Sequence, residues 1–322
     1  MPARRVIGVD LGGTKLLAGT VDEQLGVHSR AQRSVGGLEP GALLDVTVAA
    51  VNELRSAAHA EIDAVGFGIP SLIDRRTQIA TVAINLPLRD VPFADVMAER
   101  LGLPVFVDND GNASVIAEHR AGAARGASEV VMLSIGTGIA GGLILRGEPY
   151  RGSIGVGAEL GHIVIDRNGP RCQGNCPNHG CVEAYASGTA LAREARRLAA
   201  EHPESRLARA RAEGRELVGP LVTELAHDGD AAAREALALC GTALGVAIAS
   251  LLNIFNPEVV VIGGGVIAAG DLLLGPARAE VARRVLAPAR DSARIVAAGF
   301  GVEAGMVGAA ALAFDGLQGR AP

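Results

Sequence analysis

Val6-Ile7-Gly8-Val9-Asp10-Leu11-Gly12-Gly13-Thr14-Lys15 is a short apolar run that ends in two glycines, a hydroxyl and an ammonium. A run this short, rich in Val and Ile, reads as a buried strand. Gly12-Gly13 reads as the tight turn that closes it. Thr14–Val21 continues as a second strand, Asp22–Gly26 as a turn and Val27–Ser34 as a third strand, which together make a meander. Beyond it, Leu43–Ala60 places Leu43, Leu44, Val46, Val51 and Leu54 on one helical face. Val65–Ile69 reads as a buried strand closed by Pro70, Phe93–Leu101 as a helix, Val105–Val107 as a strand and Asp110–Ala121 as a helix.

The same order then begins again. Val130–Ile135 is a strand ending in Gly136-Thr137-Gly138, and Ile139–Leu145 is the next strand, turned at Arg146-Gly147. After a long insertion, Ala231–Phe255 reads as a helix and Val259–Ile262 as a strand before Gly263-Gly264-Gly265. Two strand-first halves, each with a Gly-Thr turn after its first strand, predict a duplicated α/β architecture with a cleft between its halves. Leu191–Asp230, rich in Ala, Arg and Glu, is expected to form surface helices inserted in the second half. No low-complexity linker separates the halves, so they are expected to share a hinge.

Composition narrows the function. The chain has 322 residues, enough for two domains and a large core. Apolar residues make up 49% but aromatics only 2%, so the core must be aliphatic. The formal net charge is −5, with arginines scattered among acids, which argues against a nucleic-acid partner. Asp10 and Lys15 interrupt the first apolar stretch, so neither a signal peptide nor a membrane span is expected. The expected location is the cytoplasm. Of the four cysteines, Cys172, Cys176 and Cys181 lie within ten residues. In a reducing compartment such a cluster reads as a metal site before it reads as disulfides.

Several groups carry chemistry. In the first turn the glycines let backbone N–H groups approach an anion, and Thr14 adds a hydroxyl. Asp10 is a candidate Mg2+ ligand, through water. Gly136–Gly138 supplies a second such turn, and two turns of this kind suit a nucleotide phosphate clamp. Neither is a Walker loop, because no Gly-Lys-Ser/Thr opens a helix at the right spacing. Asp108-Asn109-Asp110 stands at a strand end and a helix start. Asp108 and Asp110 are each candidate helix caps, and a carboxylate there is also placed to accept the proton of an attacking hydroxyl. Cys172, Cys176 and Cys181 with His162 offer four ligands for a closed tetrahedral zinc site, and His179 is a rival nitrogen ligand. Cys240, inside an Ala/Leu run, reads as a small core residue.

Taken together, Asp10–Lys15, Asn109-Asp110, Gly136–Gly142, Glu159-x-x-His162, the cysteine cluster with Glu183, and Asn256-Pro257-Glu258 before the triple glycine resemble the ROK family (repressor, open reading frame, kinase), and within it the bacterial glucokinases. The resemblance runs from Asp10 through Gly265. It implies the duplicated actin-like ATPase (ribonuclease H-like) fold, with an N-terminal domain 1–115 completed by a C-terminal helix 303–318, and a larger domain 116–302 carrying the zinc loop and helical insertion. It implies Asp110 as catalytic base and Asn109, Glu159, His162 and Glu183 as hydrogen-bonding partners of sugar hydroxyls. His162 would serve twice, with one ring nitrogen on a structural Zn2+ held also by Cys172, Cys176 and Cys181, and the other toward the sugar. Gly12, Gly13, Thr14 and Lys15, with Thr137 and Gly138, match the phosphate-binding turns for ATP with Mg2+. Gly264 and Gly265 match the region near the adenosine. The implied reaction is phosphorylation of a hexose at its primary hydroxyl, with glucose the leading substrate and a homodimer the expected assembly, meeting through the inserted helical half.

Three positions depart from the family's pattern. Cys172 and Cys176 are separated by three residues rather than one, Ser71 replaces a glycine at a turn lining the sugar pocket, and Gly111 follows the base in place of alanine. Other readings stay open at this level: kinases of N-acetylmannosamine, N-acetylglucosamine, mannose, fructose or allose, polyphosphate as donor, and a non-catalytic sugar sensor. A repressor of the family is expected to carry a helix-turn-helix segment before the first strand, where this sequence has five residues.

Overall fold

The computed structural model describes residues 4–74, 77, 79–83 and 86–320. The chain begins with β1 (Arg5–Leu11), β2 (Lys15–Asp22), β3 (Val27–Ser34), α1 (Pro40–Ala57) and β4 (Ile62–Ile69). Next come β5 (Ser71–Asp74), β6 (Ile79–Ala83), β7 (Arg89–Val91), α2 (Phe93–Leu101), β8 (Val105–Asn109) and α3 (Asp110–Ala121). The second half opens with β9 (Val130–Ile135), β10 (Ile139–Leu145) and β11 (Glu148–Pro149). It continues with α4 (Glu183–Ala186), α5 (Gly188–Glu201), α6 (Arg206–Ala212), α7 (Gly219–His227) and α8 (Ala231–Phe255). The last elements are β12 (Val259–Gly263), α9 (Asp271–Arg284), α10 (Ala289–Ser292), β13 (Arg294–Ala297) and α11 (Ala304–Leu317).

The backbone groups into two compact units: Met1–Ser128 with Gly142–Ala158 and Val302–Pro322, and Glu129–Gly141 with Glu159–Gly301. One five-stranded sheet runs β3-β2-β1-β4-β8 and the other β11-β10-β9-β12-β13. Each thus repeats one order, third, second, first, fourth, fifth. In both, the first, fourth and fifth strands are parallel. This is the duplication that the paired Gly-Thr turns imply, and it is the actin-like ATPase arrangement.

A third sheet, β5-β6-β7, has no counterpart in the sequence reading. Its strands have four, five and three residues, too few for a period-2 pattern to register. The inserted helices also differ from a purely surface reading. α5 buries Leu191, Ala195 and Leu198, and α7 buries Leu221, Val222 and Leu225. α8 is long and apolar enough, by length and composition, to cross a membrane. Here it is a core helix, with Leu237, Leu244, Ile248 and Leu252 buried.

The core of the first unit is built around α11, which is buried from Ala304 through Phe314 and faces β1, β4 and α3. Its small residues are what allow that depth. A Cβ added at Gly308 would lie 1.7 Å from the Ala113 carbonyl oxygen, and one at Gly66 would lie 1.7 Å from that of Ala309. Helix propensity alone makes Gly308→Ala stabilising by about 1 kcal/mol. Backbone contact reverses the sign: a carbonyl cannot turn aside as a side chain can, so Gly308→Ala is expected to cost about 1–3 kcal/mol. Urea unfolding of the variant reads the difference.

Candidate functional site

In the first unit, β1, β4 and β8 run parallel, in the register Asp10 to Gly68 and Ile69 to Asn109. Their carboxyl ends therefore lie side by side, which is where open α/β sheets bind ligands. β1 ends in the turn Gly12–Thr14, closed by the Gly12 N–H donating to the Lys15 carbonyl at 2.9 Å, with Thr14 and Lys15 exposed. β4 ends at Ile69, and Pro70 leads into β5 at Ser71. Ser71 is buried, and its carbonyl accepts from Asn109 Nδ2 at 3.5 Å. β8 ends in Asn109, and α3 begins at Asp110. The fold thus brings Asp10, Gly12–Lys15, Ser71, Asn109 and Asp110 to one edge. Burial, and then the Asp110 carboxylate, push the Asp10 carboxyl up to about 7. A carboxylate pair of this kind is a fitting place for a divalent cation, which offsets both the burial of the charge and the mutual repulsion.

Asn109 caps α3 through its side-chain oxygen, which accepts from the N–H groups of Gly111 at 2.8 Å and Asn112 at 3.3 Å. The N-cap is therefore Asn109; Asp110, the first helical residue, also accepts the Gly111 N–H on Oδ1 at 2.9 Å, and Asp108 does not cap. Asp108 instead forms a buried ion pair with Arg151, Oδ2 to Nε 2.7 Å, and its Oδ1 accepts from Asn109 N and Asn112 Nδ2. This network fixes the strand–helix junction that presents Asp110. Removing one partner of a buried pair strands the other charge. Arg151→Met is therefore expected to lose about 3–5 kcal/mol of stability, and Asp108→Asn in the same chain to restore part of it. A double-mutant cycle by chemical unfolding measures both.

In the second unit, His162, Cys172, Cys176 and Cys181 place their ligand atoms within 4.8 Å of one another. His162 Nδ1 lies 3.6 Å from Cys172 Sγ, and Cys176 Sγ lies 3.9 Å from Cys181 Sγ. Tetrahedral coordination with metal–sulfur bonds of about 2.3 Å separates two thiolates by about 3.8 Å. The observed spacing fits a shared ion and is far too long for a disulfide. Burial, then the neighbouring thiols, raise the Cys172 thiol well above its usual value, and burial raises that of Cys181. Thiols so placed ionise only with a cation among them. The widened Cys172-x3-Cys176 spacing is thus compatible with all three sulfurs converging. His179 points elsewhere, with Nδ1 3.3 Å from the Gly169 carbonyl. Cys240 is fully buried in α8, as expected of a core residue.

The rest of the second unit's candidates surround this cluster. His162 turns its other nitrogen, Nε2, toward Glu159, whose Oε2 is 3.9 Å away. Ala158, immediately before Glu159, holds a φ of 66°, a conformation costing a non-glycine residue about 1–2 kcal/mol. Glu183 is buried at the start of α4, and its Oε2 accepts from the Ile139 N–H at 2.7 Å. The turn Gly136–Gly138 ends β9, and Gly264-Gly265 follows β12, its parallel neighbour. Both sit at carboxyl strand ends, as their counterparts do in the first unit. Gly264 has φ 80° and packs on the Ile135 backbone, while beside Gly265 the space is open.

Two side chains that brace the candidate site were given no role by the sequence reading. Arg151 carries no local signal, because its partner lies 43 positions away. Gln173, whose Nε2 donates to the Thr137 carbonyl at 3.1 Å, sits in the widened cysteine spacing, which was the one available clue.

The ROK family matches residues 6–315. Glucokinase of Thermotoga maritima is 36% identical over 99% of this chain and 100% of its own length. Glucokinase of Streptomyces coelicolor is 36% identical over 95% of this chain and 96% of its own. A crystal structure of a ROK family glucokinase from Streptomyces griseus, in complex with glucose and AMPPNP, superposes with a TM-score of 0.90. It is 35% identical, covering 97% of this chain and 99% of that one.

Proposed function

The chain belongs to the ROK family, and on that premise we propose that it transfers the γ-phosphoryl group of ATP to the primary hydroxyl of glucose. The observation that carries the reading is the end-to-end correspondence with a glucokinase whose structure holds glucose and a nucleotide analogue.

The residues support a mechanism in which the chain mostly positions and neutralises. Asn109, Glu159, His162 and Glu183, with Ser71 beside Asn109, hold the hydroxyls of the sugar. An analogue lacking one hydroxyl leaves a polar group unpaired and is rejected. Asp110 accepts the proton of the primary hydroxyl as its oxygen bonds to phosphorus and the bond to the ADP oxygen breaks. Thr14, Lys15 and the N–H groups of both glycine turns hold the phosphates, and Gly264-Gly265 borders the adenosine. Asp10 would hold Mg2+, which would supply neutralisation of phosphate charge. The cysteine cluster fits Zn2+, which would orient His162 and the loop leading to Glu183 without entering the chemistry. Reduced, converging thiols suit the cytoplasm. A homodimer is the expected assembly, and light scattering reads its mass.

The test is ADP release with ATP and Mg2+ across glucose, mannose, fructose, allose and N-acetylhexosamines, repeated with polyphosphate as donor. Turnover dependent on glucose is expected. Turnover only with an acetylated sugar moves the substrate and keeps the mechanism, whereas sugar binding without turnover would replace the kinase by a sensor.

A further inference from the structure

We propose that the metal-bearing loop is the seat of the phosphate-binding turn Gly136–Gly138, with Gln173 and Glu183 as the residues that position it; this deepens the kinase reading and rests on it. Two anchors reach that turn, and each lies within two residues of a metal-ligating cysteine. Gln173, next to Cys172, donates from Nε2 to the Thr137 carbonyl at 3.1 Å. Glu183, two residues after Cys181, accepts the Ile139 N–H on Oε2 at 2.7 Å. Its other oxygen lies 3.7 Å from Cys172 Sγ. The packing is close: a Cβ at Gly138 would lie 2.4 Å from Glu183 Oε2 and 3.3 Å from Gln173 Nε2, so a side chain there would have to displace these anchors.

Peptide geometry makes these anchors functional. In a trans peptide the C=O and the following N–H point in opposite directions. The Gly136 carbonyl is held by the Gly188 N–H at 2.8 Å, and the Thr137 carbonyl by Gln173 and by Thr189 Oγ1 at 2.9 Å. With both carbonyls drawn back, the N–H groups of Thr137 and Gly138 face away from their anchors. Two successive N–H groups so aimed form an anion-binding nest. Glu183 occupies the next donor, Ile139, and so ends the nest at Gly138. The metal loop therefore governs nucleotide affinity as well as the sugar side of the site.

The experiment is calorimetric titration of AMPPNP with Mg2+, and separately of glucose, into wild type, Gln173→Met and Thr189→Val. Metal content per chain is measured on each. Methionine keeps the length of the side chain and removes the donor. One lost hydrogen bond of this kind corresponds to about a three- to tenfold weaker nucleotide. That loss is expected in Gln173→Met, with glucose affinity and metal content unchanged. Thr189→Val, which leaves the metal loop untouched, removes the other bond to the same oxygen and should weaken the nucleotide likewise. Unchanged nucleotide affinity in Gln173→Met overturns the proposal, as does an equal loss of both ligands. A wild type that binds no nucleotide at all would instead remove the kinase reading.

Discussion

Asp110→Asn is expected to lower kcat by about 10²- to 10⁴-fold, the range that positioned general bases supply, while glucose still binds and the fold persists. The structure separates these effects cleanly. The helix cap at this junction is Asn109, so replacing Asp110 leaves the α3 terminus closed. An acidic residue in the first turn favours a helix by about 0.3–1 kcal/mol. Relief of the repulsion with Asp10 works in the opposite direction. Thermal stability should therefore stay close to wild type, and asparagine keeps the size of the side chain. Steady-state ADP release, glucose calorimetry and a thermal melt on one preparation test all three parts. Near-normal turnover would remove Asp110 as the base, and a collapsed melt would mean that the carboxylate serves the fold instead.

Stripping the metal from the cysteine cluster should be the other large effect. One Zn2+ per chain is expected by elemental analysis of protein purified without added metal. The sulfurs of Cys172, Cys176 and Cys181 are buried and, without a cation, crowd one another. Binding free energy at such a site becomes folding free energy. Its loss should lower the melting temperature on the order of 10 °C or more for a protein of this size. Glucose binding should fall with it, because His162 loses its Nδ1 anchor while Nε2 still faces Glu159. Cys181→Ser removes one ligand without a chelator and should reproduce both changes. A metal-free protein that melts normally and turns over normally would eliminate the site.

Much of this was written locally in the chain. The first strand and its glycine turn, the second glycine turn, and the cysteine loop are each contiguous, and each is a feature in which residue type dictates backbone or ligand chemistry. The bounds of Val27–Ser34 and Ile139–Leu145 match the observed strands because glycine-containing turns flank them, whereas β4 begins three residues before the Val65 read from sequence. The short sheet β5-β6-β7 was not legible, because three- to five-residue strands carry no period of their own. Nor was the buried face of α5 and α7, since Arg and Glu on the outer face dominate their composition.

By itself, then, the sequence determined the succession of the longer strands and helices, the two Gly-Thr turns, the carboxylate at the β8–α3 junction and the three thiols of a candidate metal site. Those follow from the φ freedom of glycine, from apolar periodicity and from donor chemistry, all properties of neighbouring residues. Only the tertiary structure decided which nitrogen ligand joins the three sulfurs, that Asp108 pairs with Arg151 rather than capping a helix, and that Gln173 and Glu183 grip the second turn. Each of those is a contact between segments far apart in sequence, chosen by burial and by the need to pair every desolvated polar group, and no local pattern encodes that choice.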